Sequence, residues 1–231
     1  LTRAFVRPKG FVALVWKADA TLDISFKGER KVGQLDFGDF LSSVDIQNNN
    51  TSAGNVELVP EQSWSLSSEL NRSLGPWGAV KIAGEYHFIE DVVDRVPIGA
   101  LGQQVSDPAE IRGQGVGNID EAWASSLTIS GTIKFDEIGA KGLQTEFSWR
   151  YRDSELEDPL TGEKRQISDY PKITATVALR WDIPGTPWTL MGGLEEYQNY
   201  ANYRLDEVSR EWNAPSVNFI SIENKDVFGM K

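Results

Sequence analysis

Two stretches of alternating residues constrain the fold of this chain more than any other feature. In Leu127–Asp136 the odd positions are apolar or glycine, and the even positions are polar. Ile173–Ile183 repeats the pattern, with apolar residues at every odd position. Because a strand points successive side chains to opposite faces, both stretches are predicted to be strands with one apolar and one polar face. Each is roughly ten residues long, about the length that a tilted strand needs to cross a bilayer.

Composition narrows the class of protein. The longest apolar run is well short of the ~18 residues of a transmembrane helix, which excludes a helical membrane protein but not a β-barrel. The chain has no cysteine, so a disulfide framework and a cysteine metal site are both excluded. Its net charge of −11 argues against nucleic acid as the partner.

Nine segments have the character of strands, and we find no amphipathic helix. The segments are Val12–Trp16, Leu22–Phe37, Trp64–Leu70, Val80–Phe88, Ile119–Asp136, Leu143–Arg152, Ile173–Ile183, Trp188–Tyr203 and Val217–Asp226. Since single-chain bacterial barrels have an even number of strands, we expect the chain to be part of a longer protein, with its sheet open at both edges.

The connections between these segments alternate in length. Short ones are predicted at Ala18–Thr21, Gly75–Gly78, Asp136–Lys141 and Pro184–Pro187, and long ones at Ser42–Glu61, Pro97–Asn118 and Asp153–Ser168. Up-and-down barrels of outer membranes have short turns on one side of the membrane and long loops on the other. A soluble sandwich has no reason to sort its loops in this way.

The eight tryptophans follow the same alternation. Trp16, Trp77, Trp181 and Trp188 fall near short turns, whereas Trp64, Trp123, Trp149 and Trp212 fall near long loops. An indole is apolar with one polar N–H, so it favours the boundary between headgroups and hydrocarbon. The distribution predicts two aromatic girdles.

Several motifs resemble the barrel of TonB-dependent outer-membrane receptors. Asn55–Trp64 resembles that family's "Asn-Pro-x-Leu-x-Pro-Glu" segment, with Val56 in place of the usual proline. Further stretches look like recurrent hairpins and loops of one subgroup, and the resemblance as a whole covers most of the chain. These stretches are Arg72–Gly78, Asp91–Gly99, Asp158–Glu163 and Glu223–Gly229.

The resemblance implies an all-β fold, an antiparallel up-and-down transmembrane barrel of which residues 1–231 form about nine strands. In the family the barrel has about 22 strands and is closed by an N-terminal plug. The plug, the TonB-binding box and the remaining strands are not found in this sequence. The family imports scarce nutrients across the Gram-negative outer membrane, so the implied partners are membrane lipid, a small-molecule nutrient (an iron chelate, cobalamin or a saccharide) and TonB.

Five charged residues are candidate contacts for a solute inside such a barrel, because their positions place them on predicted polar faces. They are Glu146, Arg150, Arg152, Arg180 and Glu195. Inward arginines can attract anionic solutes. They can equally pair with Glu146, Asp182 or Glu195 to fill a wet interior, and we favour this structural role.

The sequence indicates no catalytic, cofactor-binding or metal site, and therefore no enzyme. His87, the only histidine, is predicted on a polar face beside Glu85, which suits a hydrophilic wall residue better than a catalytic base. The acidic run Asp153–Asp158 lacks EF-hand spacing, and the glycines Gly113, Gly115 and Gly117 are predicted to form a flexible loop. Two alternatives remain: a soluble all-β carbohydrate-binding module with tryptophan platforms, and an enzyme on a smaller outer-membrane barrel.

Overall fold

The structure is a computed structural model that describes residues 6–36, 38, 43–45, 50–53, 55, 57–101, 103–168, 170–205, 207–213 and 216–226. Within these residues one sheet holds thirteen strands, and the only helices are short 3₁₀ turns. The strands are β1 (Gly10–Asp19), β2 (Leu22–Val32), β3 (Ser43–Asp45), β4 (Asn50–Ala53), β5 (Gln62–Ser73), β6 (Gly78–Ile98), β7 (Gly113–Lys134), β8 (Leu143–Glu157), β9 (Lys164–Arg165), β10 (Pro171–Asp182), β11 (Trp188–Asn199), β12 (Trp212–Asn213) and β13 (Val217–Asn224). No helix in the described part is long and apolar enough to cross a membrane.

Nine long strands form the wall of the molecule. They are β1, β2, β5, β6, β7, β8, β10, β11 and β13, and each pairs antiparallel with the next. The up-and-down sheet predicted from the alternating segments is confirmed. Among the described strands, β1 pairs only with β2, and β13 pairs with no strand other than β11, so the sheet is open.

The connections alternate in length as the sequence predicts. Residues 20–21, 74–77, 135–142 and 183–187 connect strands at one end of the sheet, which we call the short-turn end. Residues 33–61, 99–112, 158–170 and 200–216 connect them at the other, the long-loop end. Four short strands lie at the long-loop end. β3 and β4 form a hairpin, β9 pairs with β8, and β12 pairs with β11.

The two faces of the sheet differ in chemistry. On one, the apolar face, Val177 lies directly opposite Phe147 and Leu194, and its side chain is 49% exposed. Leu66 and Leu194 are also more than half exposed on this face. The other, the polar face, carries Thr176 and its cross-strand neighbours Ser148 and Glu195. A soluble sandwich covers its apolar face with a second layer, whereas here this face is uncovered.

Strands β6 and β7 continue much further than the sequence predicts. They have 21 and 22 residues, about eleven or twelve more than the ten or so that cross a bilayer, which corresponds to roughly 35–40 Å of additional strand. The flexible loop predicted at Gly113, Gly115 and Gly117 is therefore wrong, since all three lie in β7. Glycine is needed at least at Gly117, where a Cβ would collide with a methyl group of Val96.

Other strand limits also differ from the predictions. β2 ends at Val32, before Phe37, which lies outside the described residues. β7 ends at Lys134, because Asp136 begins a 3₁₀ turn. β8 continues to Glu157, so the long connection predicted from Asp153 begins later.

The alternation of faces shifts by one residue midway along β6 and β7. Ile89 and Val92, three residues apart, pack in one apolar cluster, and so do Ile119 and Ala122. A regular strand would place residues three apart on opposite faces. The shift coincides with Asp91, whose φ of 59° lies in the left-handed region that non-glycine residues rarely adopt. Before Asp91, the even-numbered residues of β6 lie on the apolar face. Beyond Asp91, the even-numbered residues Val92, Val96 and Ile98 lie in a buried core instead.

Polar contacts hold Asp91 in this conformation. The Arg7 guanidinium donates to the Asp91 carboxylate at 3.0 Å and to the Pro60 carbonyl at 2.9 Å. The Asn118 amide donates to the Asp91 carbonyl at 2.7 Å and exchanges two hydrogen bonds of 2.9 Å with the backbone of Val59. The residues before β1, the connection before β5 and the β6–β7 hairpin are thereby tied together.

A cluster of ion pairs around the buried Arg165 lies at the long-loop end. Arg165 of β9 donates to Asp94 of β6 at 3.0 Å and to Asp158 at 2.7 Å, and the Arg165 and Asp94 side chains are each only 6% exposed. Burial alone would raise the pKa of Asp158, but the hydrogen bonds from Arg165, Thr161 and Leu160 hold that pKa below its ordinary value. The cluster fixes β9 and the following residues against the outer part of β6.

Val177→Arg in the full-length protein is expected to block or strongly reduce barrel assembly. Val177 is the seventh of twelve residues in β10, and an arginine on a lipid face near the midplane costs about 2–4 kcal/mol. Thr176→Arg, one residue away on the polar face, is the matched control and is expected to assemble. The folded fraction is measured by heat-modifiable mobility in electrophoresis of membrane fractions. Equal assembly of the two variants would show that Val177 does not meet lipid.

A second substitution separates lipid from a protein layer over the apolar face. Val177→Trp is expected to assemble like the unaltered protein, because fluid lipid accommodates the larger ring. In a packed protein core the same change costs roughly 1–3 kcal/mol through overpacking. A clear loss of folded protein would mean that another protein segment covers this face.

Arg165→Met is expected to loosen the long-loop end by about 3–5 kcal/mol, because it leaves the buried Asp94 carboxylate without its cation. Lys164→Met is the control, since Lys164 pairs with Glu155 from an exposed position. Limited proteolysis of the 158–170 connection gives the readout, and adding Asp94→Asn should restore part of the resistance. Equal cleavage of both single variants would contradict a stabilising role of the cluster.

The same cluster predicts a pH dependence. Because the folded pKa of Asp158 is lowered, its contribution to stability is complete above the pKa of an unfolded aspartate. The contribution disappears as the pH falls through the lowered folded value. Protease resistance of this connection should therefore be constant near neutrality and fall only in acid, and a loss already at neutral pH would exclude Asp158 as the cause.

Candidate functional site

The polar face carries all five charged residues singled out in the sequence. Arg150 and Arg152 lie on β8, opposite Thr128 and Ser126 of β7. Arg180 lies on β10 opposite Gln144. The other two are Glu146, opposite Ala178 and Thr132, and Glu195, opposite Thr176. They share a face but do not form one cluster, because they are spread along the strands.

Arg180 is engaged in structural pairing. Its guanidinium lies 3.2 Å from the Asp182 carboxylate and 3.7 Å from that of Glu223. Asp182 also accepts from Lys225 at 2.7 Å. These contacts lie near the short-turn end, so this arginine neutralises carboxylates there, which is the alternative that the sequence analysis favours.

Arg150 and Arg152 are arranged differently. The Arg150 Nε donates to the Thr128 hydroxyl at 2.8 Å, and neither guanidinium has a carboxylate within ion-pair distance among the described residues. The Nη1 of Arg152 is buried and has no hydrogen-bond partner there. Its ionisable neighbours include Tyr170, Tyr197 and Glu85. Two adjacent cations therefore face the same space, with phenol rings beside them.

Small hydroxyl side chains surround this pair. Directly opposite residues place Ser126, Thr128, Ser130, Ser148, Thr174 and Thr176 on the same face. Short side chains leave room above the sheet and offer both donors and acceptors. The arrangement can bind polar or anionic groups.

Two tyrosines of this region were not identified from the sequence. Tyr197 lies opposite Thr174. It follows Glu195 by two residues on β11, so the alternation that places Glu195 on the polar face also predicts Tyr197 there. Tyr170 precedes β10, where no alternation exists to assign a face. Burial raises the pKa of the Tyr170 phenol above its ordinary value.

His87 has a weak acidic partner and no nucleophile. Its Nε2 lies 3.5 Å from a Glu85 carboxylate oxygen. Ser65, directly opposite, donates its hydroxyl to the Glu29 carbonyl instead. Among the described residues His87 is therefore not part of a Ser-His-acid arrangement.

The acidic run after Tyr151 is divided among separate partners. Asp153 accepts from the Tyr200 hydroxyl at 3.1 Å, Glu155 from Lys164 at 2.7 Å, and Asp158 from Arg165. Within the described chain, no three histidine, cysteine or acidic side chains stand close enough together to hold a metal ion.

The tryptophans lie mostly toward the two ends of the sheet. Trp16, Trp181 and Trp188 stand near the short turns, and Trp77 lies within one. Toward the long-loop end, Trp64 and Trp123 lie on the strands on either side of Phe88, each directly opposite it. The Tyr86 ring stacks on the Trp123 ring with 6.3 Å between the ring centroids. Trp149 lies opposite Ile129, closer to the middle of the wall. Trp212 belongs to β12, but its side chain is outside what the structure describes.

No protein-family model matches this chain, and no curated protein does. Solved structures do match it. The FrpB iron transporter from Neisseria meningitidis superimposes with a TM-score of 0.59 at 9% identity, over 95% of this chain. The ferric enterobactin receptor PfeA from Pseudomonas aeruginosa, as its G324V mutant, superimposes with a TM-score of 0.62 at 14% identity, over 93% of this chain.

The chain covers 32% of each of these proteins, so it spans about a third of their length. At such identities the likeness concerns the fold. The resemblance noted in the sequence is confirmed at that level: the chain has the fold of part of the up-and-down barrel wall of TonB-dependent receptors.

Proposed function

We propose that this chain is part of a TonB-dependent transporter in the outer membrane of a Gram-negative bacterium. The observation that carries the proposal is the uncovered apolar face of a sheet whose turns are short at one end and long at the other. In water such a face would be covered or would cause aggregation. In a membrane it meets lipid, and the aromatic residues near its ends lie at the level of the headgroups.

The open edges support a larger barrel. In hydrocarbon, the unpaired backbone groups of β1 and β13 would have no hydrogen-bond partner. We infer that residues 1–231 form one part of the barrel domain, that further strands of the full-length protein close it, and that a plug fills the lumen. The polar face then lines the lumen, and its charged residues meet water, the plug or the solute.

The transported nutrient belongs, in this proposal, to the iron chelates, cobalamins or saccharides. The names of both structural neighbours refer to iron, which favours an iron chelate among the three. Selectivity is assigned to the long-loop end, because loops tolerate the sequence variation that specificity needs. The arrangement of the described residues gives no support to the soluble carbohydrate-binding module or to the barrel enzyme.

Uptake in the protein's own bacterium tests the proposal. Deleting the full-length gene is expected to abolish uptake of one radiolabelled chelate of ferric iron, to the level of a strain that lacks TonB. Complementation restores uptake in the deletion strain but not when TonB is also absent. Unchanged uptake of every chelate, cobalamin and oligosaccharide offered would contradict the proposal, as would recovery of the protein in the soluble fraction without detergent.

The position of selectivity can be tested by exchange. Replacing residues 99–112 and 158–170 with the equivalent loops of a receptor for a different chelate should shift the uptake preference toward that chelate. Exchange of the short connection 183–187 is the control and should change nothing. An unchanged preference in an assembled barrel would move selectivity to the polar face or to the plug.

A further inference from the structure

A cleft of about 420 Å³ opens at the long-loop end. One wall is the outer part of β6 at Arg95, Val96 and Pro97, and another is formed by residues 158–165, which include β9. Residues 203–205 and Val208 complete it. Three connections that are far apart in sequence therefore meet around one space.

The wall beside residues 203–205 is held rigidly. The Tyr203 ring lies over the Arg165 guanidinium at 4.9 Å, and its hydroxyl donates to the Gln166 side chain at 3.2 Å. The Leu205 amide donates to the Gln114 side chain of β7 at 3.2 Å. Arg165 is itself held by the buried Asp94 and the partly buried Asp158. Contacts within the chain therefore brace this wall, which lowers the entropic cost of binding.

Two cations that line this cleft have no carboxylate partner among the residues that the structure describes. Neither Arg95 nor Arg204 forms a side-chain hydrogen bond or an ion pair with the described residues, and the Nε of Arg204 is buried without an acceptor. A buried donor without an acceptor is costly, so such groups are normally satisfied. Asp158 does not serve them, because it is bound to Arg165. The exposed Glu163 also lines the cleft, and its negative charge offsets the charges of Arg95 and Arg204 only in part.

The remaining lining is largely apolar. Val96, Pro97, Leu160, Leu205 and Val208 contribute carbon surface to the same space. Ligand sites commonly combine an apolar lining with a few convergent polar groups that fix the orientation of the ligand. Guanidinium groups suit oxyanions, since their planar N–H pairs match a carboxylate.

We propose that this cleft binds a small organic acid with an apolar or aromatic body, its acidic group held by Arg204 and Arg95. The apolar body lies against Leu205 and Val208, and Tyr203 forms the side wall. This site goes beyond the transport proposed above, because binding here requires neither TonB nor passage through the barrel.

Binding of salicylate to the full-length protein tests the site. The protein is placed in lipid nanodiscs, and titration calorimetry against empty nanodiscs gives the affinity. Salicylamide, which keeps the ring and hydroxyl but is neutral, is expected to bind about tenfold more weakly or worse, since hydrogen bonds between charged groups are lost. Saturable binding of salicylate with this preference supports the proposal.

Three variants locate the binding. Arg204→Gln should weaken salicylate binding about tenfold or more, whereas Arg210→Gln, an exposed arginine of the same connection that does not line the cleft, should leave it unchanged. Glu163→Gln should strengthen it by removing the opposing charge. The affinity for salicylamide should be nearly the same in all four proteins.

Several results would overturn the proposal. They are the absence of saturable salicylate binding, equal affinities for the acid and the amide, or equal losses in the Arg204 and Arg210 variants. None of these results bears on iron uptake, so the site and the transport function can fail independently. Normal uptake with no salicylate binding would reject the site alone, and binding without any uptake would reject the transporter alone.

Discussion

Backbone hydrogen bonding in a medium without water is the constraint on which this structure depends. In hydrocarbon an unpaired N–H or C=O group has no solvent partner, so spanning strands must pair on both sides. Seven of the nine long strands, β2, β5, β6, β7, β8, β10 and β11, satisfy this condition by pairing on both sides, whereas β1 and β13 each pair on one side among the described strands. Short turns keep neighbours in register at one end, and all longer segments are displaced to the other.

The long-loop end follows from a departure from that regular wall. Beyond Asp91 the shift in alternation turns Val92 and Val96 toward Ile119 and Leu156, so that these apolar residues pack against protein. The left-handed conformation of Asp91 is unfavourable by itself. Arg7 and Asn118 compensate for it with hydrogen bonds, while the new core buries apolar surface. The outer strands thereby become a platform on which Arg165 and the cleft are built.

The sequence predicted the wall well because alternation and turn chemistry are local signals. All nine long strands and the order of short and long connections are present in the structure. The extensions of β6 and β7 were missed because the shift at Asp91 breaks the period, and because the glycines of β7 resemble a loop. Partners were harder to predict than faces: alternation placed Arg150 and Arg180 on one face but gave no distances. Arg165 and Asp94 are 71 residues apart, so no local pattern connects them.

The charges without partners are informative because acidic groups are abundant. The chain has 34 acidic residues against 23 lysines and arginines, so an arginine that only needs a counter-ion rarely lacks one nearby. Arg180 and Arg165 each have two carboxylates. Arg150 and Arg152 on the polar face, and Arg95 and Arg204 in the cleft, have none among the described residues. In the transporter proposed above, these two arginine pairs, one at the long-loop end and one along the wall, would favour anions at those two levels over the otherwise acidic surface.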